Sequence, residues 1–340
     1  MKISPMYNYI LGFTGQLKKG YRLVETPSLP NMTFDAVILC GMGGSAIGGD
    51  LLTGCAKPDI PIPFAINRSY RLPGWVNEKT LAIFSSYSGG TEETLSCFNE
   101  AQKKKIPSLA ITSGGQLSRL CSETNIPTIN IPGGLPPRAA LGYSFAPLFS
   151  LFKRLELIKS SNDEFERAVE LLEKLSVEYS QPAGEPANLA AEIQGKIPVF
   201  YADGFRLEAI ISRFRCQLAE NAKTLAFGNV FTELNHNEIV GWGIPPDTID
   251  KFTAIFIWDP ESDYRVTRQM QGTKEILSNL GLKVHHVQAQ GETFLAKMLS
   301  LAHFADWLSY HLAVLNRVDP IPIERIDALK RKLKNSEKGS

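Results

Sequence analysis

The sequence has no surplus of either charge. Lysine and arginine number 36, aspartate and glutamate 35, a net charge of +1 over 340 residues. Affinity for a nucleic acid or an acidic membrane rests on an excess of Lys and Arg, so neither is expected as a partner. Cysteine is scarce. Cys40, Cys55, Cys97, Cys121 and Cys216 make an odd number without a C-x-x-C pair. That argues against a disulfide framework and a zinc site, and for a reducing cytoplasm. Long apolar runs are missing too. The most apolar stretch, Leu141 to Phe152, is about a dozen residues and contains Pro147, well short of a spanning helix. The opening MKISPMYNYI has no basic start followed by an apolar stretch, so no signal peptide is expected. No G-x-x-x-x-G-K-[ST] occurs, which argues against an ATPase of that type. A helix-turn-helix segment is also missing, which argues against a DNA-binding sensor.

What is present suits a large core. Hydrophobic residues are 44% and charged residues 21%, which excludes disorder. At roughly 100–200 residues per domain, two domains are expected. Ala36 to Cys40 is a continuous apolar run that stops at Gly41. Leu81 to Phe84 runs into the polar loop Ser85 to Thr91, and a helix opens at Glu92. Ser108 to Ile111 runs into Thr112-Ser113-Gly114-Gly115, again followed by a helix. Short buried strands alternating with helices predict an α/β, doubly wound parallel sheet.

The same rhythm returns later. Pro198 to Ala202, Phe252 to Trp258 and Val284 to Val287 read as strands, and a helix is expected from Arg206 to about Ala226. Three strand–loop–helix units in each half, offset by about 160 to 175 residues, suggest a duplicated pair of domains. The boundaries read as 1–155 for the first domain, 156–194 for a helical connector broken by Pro182, Gly184 and Pro186, and 195–340 for the second domain with its C-terminal helix.

Two loops carry chemistry. Ser86-Tyr87-Ser88-Gly89-Gly90-Thr91-Glu92-Glu93-Thr94 leaves a strand and enters a helix. The hydroxyls of Ser86, Ser88 and Thr91, with two glycines, stand where a helix offers unpaired N–H groups and partial positive charge. That is a cradle for a small phosphate without a metal. The plainer alternative is an ordinary N-cap by Thr91 with Glu92 and Glu93 in the first turn. The other loop, Gly41-Met42-Gly43-Gly44-Ser45-Ala46, matches G-x-G-x-x-A after a strand. The acid expected after a second strand is missing, because Asp59 precedes the Ile60–Ile66 segment, so close approach to a substrate is the better reading than a nucleotide cofactor. The second-half loops, Asp203-Gly204 and Asp259 to Asp263, do not suit an anion.

With both loops in hand, the stretches GMGGSAIGGD, SSYSGGTEET, PPRAALGYS, LAENAK and ELNHNEIVGW resemble the bifunctional phosphoglucose/phosphomannose isomerases of the sugar-isomerase-domain (SIS) superfamily. The resemblance implies two SIS domains in a homodimer. It implies interconversion of glucose 6-phosphate and mannose 6-phosphate with fructose 6-phosphate through an enediol. It implies a small-molecule sugar phosphate as ligand; no cofactor is expected, and no metal, because no pair of histidines has metal-ligand support. By motif, Gly44 and Ser45 approach the sugar, Ser86, Ser88 and Thr91 hold its phosphate, and Arg138, Glu220 and His236 surround the reacting carbons. His236 is implied to cross from the neighbouring subunit. A lysine near the chain's end completes the family site. Lys330 is the choice, with Lys332, Lys334 and Lys297 as alternatives.

Such chemistry needs one base over two carbons, a group for the ring oxygen and a cation for the oxyanion. Glu220 is expected on an otherwise apolar helix, where desolvation would make it a better base. Taken without the resemblance, a solvated or salt-bridged Glu is the commoner reading. Arg138, stiffened by Pro136-Pro137, would serve an enediolate, or merely cap a turn. His236 sits among polar neighbours, and an imidazole suits proton transfer near neutral pH, though a surface histidine is the alternative. His285, His286, His303 and His311 read as structural. A catalytically silent sugar-phosphate sensor remains the competing function.

Overall fold

The computed structural model describes residues 4–25 and 33–337. Helices α1 (Pro5–Leu11) and α2 (Phe13–Arg22) lead in. The first half then runs β1 (Ala36–Gly41), α3 (Gly43–Ala56), β2 (Phe64–Asn67), β3 (Thr80–Ser86), α4 (Glu92–Lys103), β4 (Ser108–Thr112), α5 (Gly115–Thr124), β5 (Thr128–Asn130) and α6 (Leu141–Arg154). Helices α7 (Asn162–Tyr179) and α8 (Glu185–Ile193) follow. The second half runs β6 (Ile197–Ala202), α9 (Glu208–Asn221), β7 (Phe227–Val230), α10 (Phe231–Leu234), β8 (Phe252–Trp258), α11 (Tyr264–Asn279), β9 (Val284–Gln288), α12 (Phe294–Leu315) and α13 (Glu324–Glu337).

Among the described residues every strand pairing is parallel. The first sheet has the order β2-β1-β3-β4-β5 and the second β7-β6-β8-β9. Mapping β1 to β6, β2 to β7, β3 to β8 and β4 to β9 makes the two orders identical except for β5, as a duplication requires. In such sheets the chain reverses direction between the first and third strands, and ligands bind beyond the carboxyl ends there.

Alternation along each strand explains the layers. Val37 and Leu39 of β1 feed one core, while Ile38 and Cys40 feed another beneath Leu95 and Phe98 of α4. In β6, Phe200 and Ala202 face the first of these cores, and Val199 and Tyr201 face a third. One core therefore lies between the sheets and is shared by both halves. Its helices include α3, α6, α9 and α12. The 156–194 segment also belongs to it: Phe165, Leu172 and Tyr179 of α7 and Ile193 of α8 are buried there. Pro182 and Gly184 separate these two helices, but Pro186 lies in the first turn of α8, where its missing N–H costs nothing.

The structure departs from the sequence reading in three further places. Strands β5 and β7 join the expected set, and the Ile60–Ile66 segment contributes only its last residues to β2. Strands β2 and β7 are partly exposed sheet edges, and β7 carries Gly228 and Asn229, types that strands disfavour. The helix expected to reach Ala226 stops at Asn221, and Lys223 turns the chain with φ of 56°. Last, β3 takes in Ser85 and Ser86, so Ser86 is held on the sheet rather than in the loop.

Candidate active site

The hydroxyl-rich loop lies at the reversal point of the first sheet. Tyr87 N–H donates to Ser45 Oγ at 3.0 Å, which joins the loop after β3 to the start of α3 after β1. Ser86 Oγ and Thr91 Oγ1 are 2.9 Å apart, and Gly90 N–H donates to Ser88 Oγ at 3.3 Å. Thr91 occupies the N-cap position of α4, but its hydroxyl makes no capping bond to the helix. The plain N-cap reading therefore fails at the hydroxyl, which meets Ser86 instead. Gly89 has φ of 65°, and a Cβ there would stand 1.8 Å from Gly114 O, so the loops after β3 and β4 interlock at a position only glycine fills.

Two contacts tie this loop to Arg138. Leu135 N–H donates to Tyr87 Oη at 3.0 Å, which fixes the start of the Leu135-Pro136-Pro137-Arg138 approach. Gly44 supplies the other. A Cβ on Gly44 would meet Pro137 O at 2.5 Å and Arg138 N at 3.3 Å. The side-chain space of Gly44 is thus taken by protein backbone, not left open for a ligand, and its absence lets α3 abut the turn Pro137–Ala139.

Arg138 is 4% exposed and fully engaged on one side. Its Nε donates to Asn221 Oδ1 at 2.7 Å, and Nη2 donates to Pro320 O at 2.6 Å and Ile321 O at 2.9 Å. Nη1 faces Glu220 Oε2 at 3.4 Å. A guanidinium has five N–H donors, so this count leaves one on Nη1 beside Glu220. Burial pulls the Arg138 pKa down, and the Glu220 carboxylate partly restores it. Both residues, with Gly44, line a cleft of about 490 Å³ between α3 and α9.

Glu220 differs from the expectation. Its side chain is 29% exposed, and the buried side of α9 is not wholly apolar, for Arg213, Gln217 and Asn221 are buried beside Ile210, Ile211, Phe214 and Leu218. Arg213 Nη2 and Gln217 Nε2 both donate to Asp306 Oδ1, at 2.5 and 2.7 Å, and Arg213 Nη2 also reaches Arg138 O at 3.0 Å. Polar residues at positions 213, 217 and 221 recur at helical spacing among apolar ones, which is the sequence signal for this buried polar stripe.

His236 is exposed and lies outside this cleft in the single chain. Its loop is nonetheless fixed. Glu238 accepts from Tyr201 Oη and from Asn229 Nδ2 (2.8 Å), and Thr273 Oγ1 donates to Asn235 Oδ1 at 2.8 Å. Lys330 is exposed on α13. The first turn of α13 shares a depression with Glu220, and the lead-in to α13 is the segment that Arg138 grips. Lys223, which the sequence reading passed over, donates from Nζ to Glu220 O at 2.5 Å and to Pro322 O at 2.7 Å. Partial burial and the nearby Arg138 charge lower its pKa. Lys297 is committed elsewhere. It is 4% exposed and bonds Asp259 at 2.7 Å and Glu261 at 2.8 Å, neutralising the acidic loop at the second sheet's reversal point.

Residues 183–333 match the family model described as the bacterial phospho-glucose isomerase C-terminal SIS domain. The bifunctional phosphoglucose/phosphomannose isomerase of Caldicellulosiruptor bescii is 39% identical over 96% of this chain and 98% of its own length. The protein of the same name from Aquifex aeolicus is 35% identical over 98% and 99%. Among solved structures, a hypothetical protein of Thermus thermophilus shares the fold with a TM-score of 0.72 at 17% identity, covering 95% of this chain and 90% of its own. With near full-length identity to such relatives, the chain belongs to the bifunctional phosphoglucose/phosphomannose isomerase family.

Proposed function

We infer that the protein is an aldose–ketose isomerase that interconverts glucose 6-phosphate and mannose 6-phosphate with fructose 6-phosphate. The observation that carries this reading is the Arg138–Glu220 pair at one end of a cleft, tied through Gly44 and Tyr87 to the hydroxyl loop. In this reading a sugar phosphate reaches from the hydroxyl loop, which does not itself line that cleft, to the Arg138–Glu220 pair. Its phosphate takes the first-turn N–H groups of α4 and the hydroxyls of Ser86, Ser88 and Thr91, with Ser45 at the junction. Glu220 moves a proton between C1 and C2. The free Nη1 donor of Arg138 stabilises the oxygen on which negative charge develops. Neither step needs a group from outside the chain.

The partner subunit's His236 completes the site by handling the ring oxygen, with Lys330 as its companion from the same chain. Support for a homodimer comes from the surface beside His236: Val240 and Ile244 are each 80% exposed, a cost that pairing with a second copy would remove. The chain divides as 1–155, 156–194 and 195–340, with the phosphate loop in the first SIS domain and Glu220 in the second. The enzyme works in the cytoplasm, in the sugar-phosphate steps of glycolysis and gluconeogenesis. A silent sensor would have no use for a carboxylate paired with a guanidinium that keeps one donor open beside it, so the catalytic reading stands ahead of it.

The test is Glu220→Gln. Turnover of fructose 6-phosphate should vanish while phosphate-ligand binding persists. A variant that keeps more than a few per cent of its activity would remove Glu220 as the base.

A further inference from the structure

We propose that Asn221 is a positioning residue that aims the Arg138 guanidinium at the reacting carbons, anchored through α12. Asn221 is completely buried. Its amide can be oriented only one way. Arginine has no acceptor, so Oδ1 must face Arg138 Nε, at 2.7 Å. Nδ2 then donates to Ser309 Oγ at 2.9 Å, and the Ser309 hydroxyl donates to Asp306 O at 2.7 Å. Asn221 and Ser309 each have one donor and one acceptor in use, and neither can flip without leaving a buried polar atom unpaired.

The chain closes on itself. The carboxylate of Asp306 accepts from Arg213, whose Nη2 also donates to Arg138 O. Arg138 is therefore held at its main chain and at its guanidinium by the same turn of α12. Nε and Nη2 are fixed by Asn221 and by the Pro320 and Ile321 carbonyls. What remains free is the second N–H of Nη1, whose first faces Glu220 at 3.4 Å. Rotation about the Cδ–Nε bond would turn the Nε–H away from Asn221 Oδ1 and carry Nη2 off the two carbonyls together. Asn221 touches no cleft surface itself, so it acts through Arg138 and not on substrate.

This inference rests on the role given to Arg138 above, and the experiment separates the two. Steady-state kinetics with fructose 6-phosphate are compared for wild type, Arg138→Ala, Asn221→Ala and the double variant. Asn221→Ala should lower kcat by about 10- to 100-fold, the scale of a misplaced catalytic group, with KM changed less than about threefold. In the Arg138→Ala background the same substitution should cost nothing further, because the group it aims is gone. A merely structural Asn221 would give the same loss in both backgrounds, and that result overturns the proposal. So does full kcat in Asn221→Ala beside an inactive Arg138→Ala. An active Arg138→Ala would instead refute the role of Arg138. Should Asn221→Ala not fold, Asn221→Asp keeps the acceptor for Nε and is expected to hold kcat within about tenfold of wild type; a loss as deep as that of Arg138→Ala overturns the proposal.

Discussion

Replacing Gly44 with alanine sets two opposing effects against each other. Gly44 lies in the first turn of α3, and alanine is the better helix former by roughly 0.5–1 kcal/mol. On propensity alone the variant would be more stable. The structure reverses that sign. The new Cβ would stand 2.5 Å from Pro137 O and 2.8 Å from Pro137 C. A relaxed contact between carbon and carbonyl oxygen needs about 3.3 Å, so α3 and the Pro137 turn must separate by roughly 0.8 Å. Both neighbours are backbone, and the turn is stiffened by Pro136 and Pro137, so no side chain can absorb the shift. Overpacking of this kind costs about 1–3 kcal/mol, more than the propensity gain. Because Arg138 follows Pro137 directly, the displacement also moves the guanidinium away from Glu220. A misplacement near 1 Å costs about 100-fold in rate, so kcat should fall by roughly 10- to 100-fold. Urea unfolding and turnover of fructose 6-phosphate read both effects. A Gly44→Ala protein that is more stable and equally active would refute the reasoning, since it would show that the turn yields freely.

Three other outcomes follow from the same geometry. Ser88→Ala should mainly raise KM, because it removes binding common to ground and transition states; an unchanged KM would count against the phosphate cradle. Lys297→Met should cost about 3–5 kcal/mol in urea unfolding, because it leaves Asp259 buried without its partner, and adding Asp259→Asn should recover much of that; a loss below about 1 kcal/mol would contradict the pairing. His303 is fully buried, accepts from Trp307 Nε1 at 3.1 Å, and has its pKa lowered to about 3 by desolvation. Between the unfolded value near 6.5 and that folded value, the unfolded chain binds a proton that the folded one refuses. Stability is therefore present above about pH 6.5 and is lost as pH falls, by up to about 1.4 kcal/mol per unit. Nuclear magnetic resonance of the imidazole at pH 5 checks this: a neutral ring is expected, and a protonated one would contradict the burial.

The parts of the fold legible in the sequence were those buried on both faces. Strands β1, β3 and β8 are continuous apolar runs because alternate residues serve two different cores, as Val37 and Ile38 do. Strand β7 was hidden because an edge strand need not be apolar, and Gly228-Asn229 reads as a turn. The hydroxyl loop was legible because it holds more hydroxyls than a helix cap requires. The support of Arg138 was not. Asn221, Ser309 and Asp306 act through partners more than eighty residues away in sequence, and only folding shows that α9 turns a polar stripe inward. Arg138 itself reads as a turn-capping surface residue until the shared core closes over it. The expectation for Glu220 failed for the same reason: the surroundings of α9 were judged from its neighbours in sequence, whereas its polar face is the one that meets α12.

The most direct measurement is the conversion of fructose 6-phosphate in heavy water, with neither metal nor cofactor added. Proton transfer through an enediol predicts that both glucose 6-phosphate and mannose 6-phosphate appear, each carrying deuterium at C2. No aldose product at high enzyme concentration would contradict the isomerase, and aldoses formed without any deuterium would contradict proton transfer by a partly exposed Glu220.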